Sequence, residues 1–158
     1  MSATPEPTPA RLRAIPSRLI AGVAAVADRL VNERLAAADA RKWHFAVLTA
    51  LAEDGAASQA ELSRRTGIYR SDMVAVLNEL GDAAYVRRAA DPADRRRNVI
   101  TLTAEGRRRR EHLDGLVTDA QRELLAPLDP DERSELTRLL TVLTEHHRPG
   151  HPDPRDPK

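Results

Sequence analysis

Two neighbouring stretches, SQAELSRRTGIYRSDMVAVLNEL (58–80) and YVRRAADPADRRRNVITLTAEG (85–106), decide the fold. In the first, Ser58-Gln59-Ala60-Glu61 spells a capping box, in which the serine hydroxyl accepts a backbone N–H and the glutamate reaches back to the start of the helix. It opens a short helix that Gly67 closes. After a tight turn, a second helix is predicted from Tyr69 to Asp82. At about 100° per residue, Met73, Val76, Leu77 and Leu80 fall on one side of it, and Ser71, Val74, Ala75 and Asn78 on the other. The first set needs a core to pack on. The second offers small or hydrogen-bonding side chains that suit insertion into a groove, as the second helix of a helix-turn-helix does. Taken alone, the segment reads equally well as an ordinary amphipathic surface helix.

The second stretch breaks the tie. The apolar period drops from helical to alternating, so YVRR and NVITLT are predicted as short strands joined through a turn at Asp91-Pro92. Arg95, Arg96 and Arg97 occupy the tip. Asp91 sets the turn, and Asp94 is placed to pair with one of the following arginines, which leaves one or two guanidinium groups directed outward. Three arginines in a loop are usually solvent-facing charge. Directly after a helix-turn-helix they read as a wing, whose arginine enters the minor groove where negative potential is focused. Arg87, Arg88 and the arginines from 107 onward, together with Ser58, are expected on phosphates, where they supply affinity and register rather than sequence reading.

The charge distribution agrees. Residues 85–110 hold nine arginines against Asp91, Asp94 and Glu105, a local charge of +6 in a chain whose net charge is +1, so the rest carries −5. Such concentration of one sign is the footprint of a phosphate-binding surface. Arginine is also much commoner than lysine throughout, so the choice of arginine is not itself a signal.

The 158 residues include no cysteine, which excludes a disulfide framework, thiolate metal sites and thiol redox chemistry. No apolar run approaches a membrane span, and MSATPEPTPA lacks the layout of a signal peptide, so a cytoplasmic protein is expected. No nucleophile elbow, phosphate loop or HExxH motif is present, so the chain is read as a non-enzyme without a cofactor. His146, His147 and His151 have a superficial metal spacing, but Pro149-Gly150 breaks the helix that would align them, and no metal is expected.

Around the two stretches the pattern is helical. Ile15, Leu19, Val23, Val26, Leu30 and Val31 form a stripe on a long helix from Arg11 to about Ala37, and WHFAVLTALAE forms another that ends near Gly55. Thr103 caps a long helix that Pro127 stops. Asp129-Pro130-Asp131-Glu132 opens the last one, with a capping Asp and Pro at the first helical position.

The two stretches together resemble the MarR family of bacterial transcriptional regulators, most closely at the wing, where the family's Asp-Pro-x-Asp-Arg-Arg…Leu-Thr pattern stands as DPADRRRNVITLT. Helix order and spacing extend the likeness over roughly residues 12–147. The fold class is then mainly α with a small β-hairpin: a winged helix-turn-helix lobe at about 41–104 and dimerisation helices at about 11–37 and 104–148. Tails at 1–10 and 149–158 are expected to be disordered. The resemblance places Arg70, Ser71, Val74, Ala75 and Asn78 on the recognition helix and Arg95 and Arg96 at the wing. It implies a homodimer on a pseudo-palindromic double-stranded DNA operator, with repression relieved by a small, often aromatic, ligand. The alternatives are a winged-helix architectural DNA binder without effector and a winged-helix protein-interaction module. One departure stands out. The family has Glu-x-x-Gly before the first wing strand, whereas here Gly81 comes three positions early. Ala84 would then be strained, unless the helix ends differently or the lobe sits at another angle.

In the resembling family the effector pocket lies near Trp43-His44-Phe45. Trp43 could stack on an aromatic ligand and His44 bond a carboxylate or phenol, with Leu19, Val23 and His112 lining the same space. In the competing reading Phe45 is core, and Trp43 and His44 are packing residues.

Overall fold

The computed structural model describes residues 8–148 and divides into two compact units, one reaching Gln121 and the other starting at Arg122. In the first unit the predicted N-terminal helix is interrupted: α1 (Ala10–Arg13) ends at Ala14, and α2 (Pro16–Ala36) begins afresh with Pro16 in its first turn. Proline has no N–H to give to the preceding turn and its ring crowds the carbonyl four residues back, so Pro16 starts a helix rather than continuing one. The tails assigned to 1–10 and 149–158 fall outside the described residues except at 8–10, where Ala10 already begins α1.

Helices α3 (Lys42–Asp54), α4 (Gln59–Thr66) and α5 (Arg70–Asp82) follow, then strands β1 (Val86–Ala90) and β2 (Asn98–Leu102), then α6 (Ala104–Leu124). The capping box at Ser58 forms, with the serine Oγ accepting from the Glu61 N–H at 3.3 Å and the Glu61 carboxylate accepting from the Ser58 N–H at 2.7 Å. Gly67 closes α4 in the left-handed conformation, at φ 72°. The core of this unit gathers Leu35, Val47, Leu48, Leu51, Leu62, Met73, Leu77 and Leu113, with Ile100 and Val86 contributed by the ribbon. Each such side chain, fully buried, contributes roughly 1.5–3 kcal/mol.

β1 and β2 pair antiparallel, Val86 opposite Leu102 and Ala90 opposite Asn98. Ala57, in the link between α3 and α4, adds a one-residue bridge on the far side of β2: its N–H and carbonyl bond Ile100 at 3.1 and 2.7 Å. The second unit contains α7 (Pro130–His146), opened as predicted by Asp129, whose carboxylate accepts the Glu132 N–H at 2.9 Å.

Candidate nucleic-acid interface

Helix α5 presents the two faces expected from its sequence. Met73, Val76, Leu77 and Leu80 are buried, whereas Arg70, Ser71, Val74, Ala75 and Asn78 are exposed. Tyr69, at the N-cap, is 77% accessible, the most exposed large hydrophobic side chain among the described residues. Its side chain was not singled out in sequence. The available signal was position: the first residues of a recognition helix are those that meet base edges.

The helix is held from behind. The Glu79 carboxylate accepts from the Arg41 guanidinium and from Nε2 of His44, the latter at 2.6 Å. Nδ1 of His44 accepts the Arg41 backbone N–H at 3.2 Å, so the ring proton resides on Nε2. The His44 bond first, and Arg41 second, hold the Glu79 carboxyl below its ordinary value. Both ring nitrogens of His44 thus make bonds within the lobe, one to the start of α3 and one to α5.

At the wing tip, Asp94 does not pair with an arginine side chain. Its carboxylate accepts the Arg96 backbone N–H at 3.0 Å, and that of Asp91 accepts the Ala93 N–H at 2.9 Å. A short carboxylate reaches a backbone N–H two residues on with little loss of freedom, which is why it folds the loop in preference to chasing a long guanidinium. The tip closes with Asp91 N–H on the Arg97 carbonyl at 2.7 Å and Arg97 N–H on the Asp94 carbonyl at 2.9 Å. Arg97 directs its guanidinium to Glu61, 2.5 Å away, whereas Arg95 and Arg96 are exposed, with no side-chain partner among the described residues.

The basic segment divides in the same way. Arg88 donates to the Asn78 side-chain oxygen at 3.2 Å, linking β1 to the outer face of α5. Arg108 pairs with Glu105, and Arg110 with Glu53 at 3.5 Å. Arg109 donates to the Ala38 carbonyl and lies 5.4 Å from the Tyr85 ring centre. Arg87 and Arg107 stay exposed. Ser58 Oγ accepts the Glu61 N–H in its helix cap.

Of the residues expected at a ligand site, one borders a cleft. Trp43 lines a cleft of about 330 Å³ with Asn32, Ala36, Ala40, Arg41 and Lys42; Leu19, Val23 and His112 are absent from its walls. Leu19 and Val23 lie on the exposed face of α2, and His112 is exposed on α6. Among the described residues no group of three His, Cys, Asp or Glu side chains converges to hold a metal ion, and His151 lies outside them. No helix among them is long and apolar enough to cross a membrane.

The MarR family model matches residues 39–97, the span that contains α3, α4, α5 and most of the wing. A mutant of MarR from E. coli complexed with operator DNA is 29% identical, with a TM-score of 0.71 over 86% of this chain and 99% of that one. The fold is shared with BpsR of Bordetella bronchiseptica, whose DNA binding is regulated by 6-hydroxynicotinic acid, at 23% identity and TM-score 0.76 over 87% of this chain and 98% of BpsR. It is shared also with CouR from Rhodococcus jostii RHA1 bound to p-coumaroyl-CoA, at 24% identity and TM-score 0.75 over 90% and 98%. A capped helix-turn-helix with an arginine-tipped ribbon, matched over residues 39–97 by the MarR family model, makes the chain a winged helix-turn-helix protein similar to the MarR regulators.

Proposed function

We propose that the chain is a homodimeric transcriptional regulator that binds a pseudo-palindromic operator as a repressor and is released by a small ligand. The observation that carries this reading is the pairing of an exposed recognition face (Ser71, Val74, Ala75, Asn78) with a wing tip where the Arg95 and Arg96 side chains have no partner among the described residues. Small and hydrogen-bonding groups on α5 read base edges in the major groove, each good contact discriminating by roughly 1–3 kcal/mol. Arg95 and Arg96 reach the minor groove, and Arg70, Arg87 and Arg107 neutralise phosphates. Exposed apolar faces on α2 (Leu19, Ile20, Val23, Val26) and on α7 (Leu139, Leu140, Val142, Leu143) are the surfaces a second copy covers. Two lobes then meet half-sites about one helical turn apart.

Release by a ligand is supported by BpsR, whose DNA binding is regulated by 6-hydroxynicotinic acid, and by CouR, bound to p-coumaroyl-CoA. In this chain the cleft at Trp43 adjoins Arg41, which holds Glu79 on the recognition helix. A ligand that draws Arg41 or His44 off Glu79 loosens the helix that reads DNA, and it shifts the equilibrium by as much as it prefers that state.

The test is to incubate the protein with fragments of its source genome, recover what it holds and titrate a recovered duplex at several salt concentrations, with and without aromatic acids. Enrichment of a palindrome, a steep loss of affinity with salt and at least tenfold weakening by one acid are expected. Recovery of random fragments with a flat salt response would rule out the DNA reading. A palindrome indifferent to every acid would leave a regulator without this class of effector.

A further inference from the structure

Of the three arginines at the wing tip, one is already engaged. Glu61 divides its carboxylate between two tasks: Oε2 accepts the Ser58 N–H that starts α4, and Oε1 receives the Arg97 guanidinium at 2.5 Å. We propose that Arg97 is a positioning residue that clasps the wing to the first turn of α4, and that Glu61 serves as both helix cap and anchor of that clasp. The inference rests on the DNA-binding reading above for its consequence, and on the geometry alone for its existence.

Three observations support it. Arg97 closes the tip through its own backbone, by its carbonyl to Asp91 and its N–H to Asp94, so whatever holds its side chain holds the loop. Three residues further along the chain, Ile100 makes its reciprocal backbone pair with Ala57, the residue next to Ser58. The ribbon is therefore attached twice to the short segment 57–61, once by backbone at its middle and once by side chain near its tip. An isolated two-stranded ribbon is marginal in water and free to swing; two attachments set its angle to the helices it works beside. Finally, Arg97 and Glu61 are matched in charge state at all ordinary pH values, because the guanidinium first, and the Ser58 contacts second, hold the Glu61 carboxyl down to about 2.

The clasp changes what each arginine contributes. Among the described residues Arg95 and Arg96 are the free cations of the tip, whereas Arg97 contributes order. An exposed ion pair adds little to global stability, since solvent screens it. Its effect is local: fewer wing orientations remain to be lost when DNA is bound.

The experiment compares wild type with Arg97→Ala, Glu61→Gln, their double variant and Arg96→Ala on a duplex recovered in the genomic selection. Glutamine keeps a carbonyl oxygen for the Ser58 N–H but removes the anion, which separates the clasp from the cap. Arg97→Ala and Glu61→Gln are each expected to weaken binding by roughly three- to tenfold, with the double variant no worse than either single one. The slope of log affinity against log salt should stay at the wild-type value in all three, whereas Arg96→Ala should reduce it by about 0.9. A reduced slope for Arg97→Ala would make Arg97 a phosphate contact and overturn the proposal, as would full affinity in Glu61→Gln. A second readout needs no DNA: hydrogen exchange at the amides of Asp91 and Arg97 should quicken in both clasp variants and not in Arg96→Ala. Unchanged exchange would overturn the clasp even where DNA binding holds. Absence of DNA binding by the wild type, with exchange responding as expected, would overturn the function proposed above and leave the clasp standing.

Discussion

Ala84 sits at φ 60°, a conformation that glycine adopts freely and that an L side chain resists. It is the left-handed residue that ends α5: the Tyr85 N–H returns to the Leu80 carbonyl and the Ala84 N–H to the Gly81 carbonyl, both at 2.9 Å. That bond pair is the Schellman arrangement. So α5 ends as the family pattern requires, with alanine where glycine would be relaxed, while Gly81 stays helical. Ala84→Gly is expected to stabilise the fold by roughly 0.5–1 kcal/mol, the relief of strain exceeding the added freedom of the unfolded chain. A urea unfolding midpoint that fails to rise would refute this. Gly106 poses the opposite case. A Cβ there would fall inside contact distance of the Tyr85 carbonyl oxygen and 2.6 Å from a Leu102 methyl. The carbonyl is fixed, since the Thr103 N–H and hydroxyl also bond it, each at 3.1 Å. Gly106→Ala should therefore cost roughly 1–3 kcal/mol or more, read as a lowered midpoint with the slope unchanged.

At the scale of elements, α5 and the ribbon are tied to the lobe by polar and charged groups outside the core as well as by their buried side chains. α5 is held through Glu79 to Arg41 and His44, the ribbon through Arg97 to Glu61, and α5 to β1 through Asn78 and Arg88. The pH response follows from the carboxylates. Glu61 falls from an ordinary value of 4.5 to about 2 in the fold. A group whose folded value is depressed contributes in full above its unfolded value and loses that contribution as pH falls through the folded one. Protection of the wing amides, corrected for intrinsic exchange, should thus be constant from neutral pH to about 5 and decline between about 4.5 and 2. Decline already between pH 7 and 5 would mean that a histidine, not Glu61, controls the wing.

The whole molecule leaves apolar side chains on α2 and α7 uncovered, with Leu19, Val23 and Val142 each more than half exposed. A lone chain in water has no reason to keep such rows, and a second copy supplies the cover under the proposed function. Leu140→Asp combined with Leu143→Asp should give monomers in sedimentation velocity at micromolar concentration. The same variant should lose at least a hundredfold in affinity for a two-half-site duplex, because each lobe then binds alone. A dimer surviving both substitutions would move the interface elsewhere.

What the sequence determined by itself was local. The capping boxes at Ser58 and Asp129, the buried stripe of Met73, Val76, Leu77 and Leu80, and the Asp-Pro turn with its strands were all legible, since each depends on residues within a turn or two of one another. The break at Pro16 was equally local, and the apolar stripe running through it concealed it. Tertiary structure alone decided which arginines are free. Arg97 meets a carboxylate 36 positions away, His44 one 35 away, and Arg109 a backbone carbonyl 71 away. No periodicity encodes such pairs, because they form only after loops have closed and brought distant segments together. Charge counting therefore located the basic face, but only the folded chain separates the cations that face outward from those that hold it in shape.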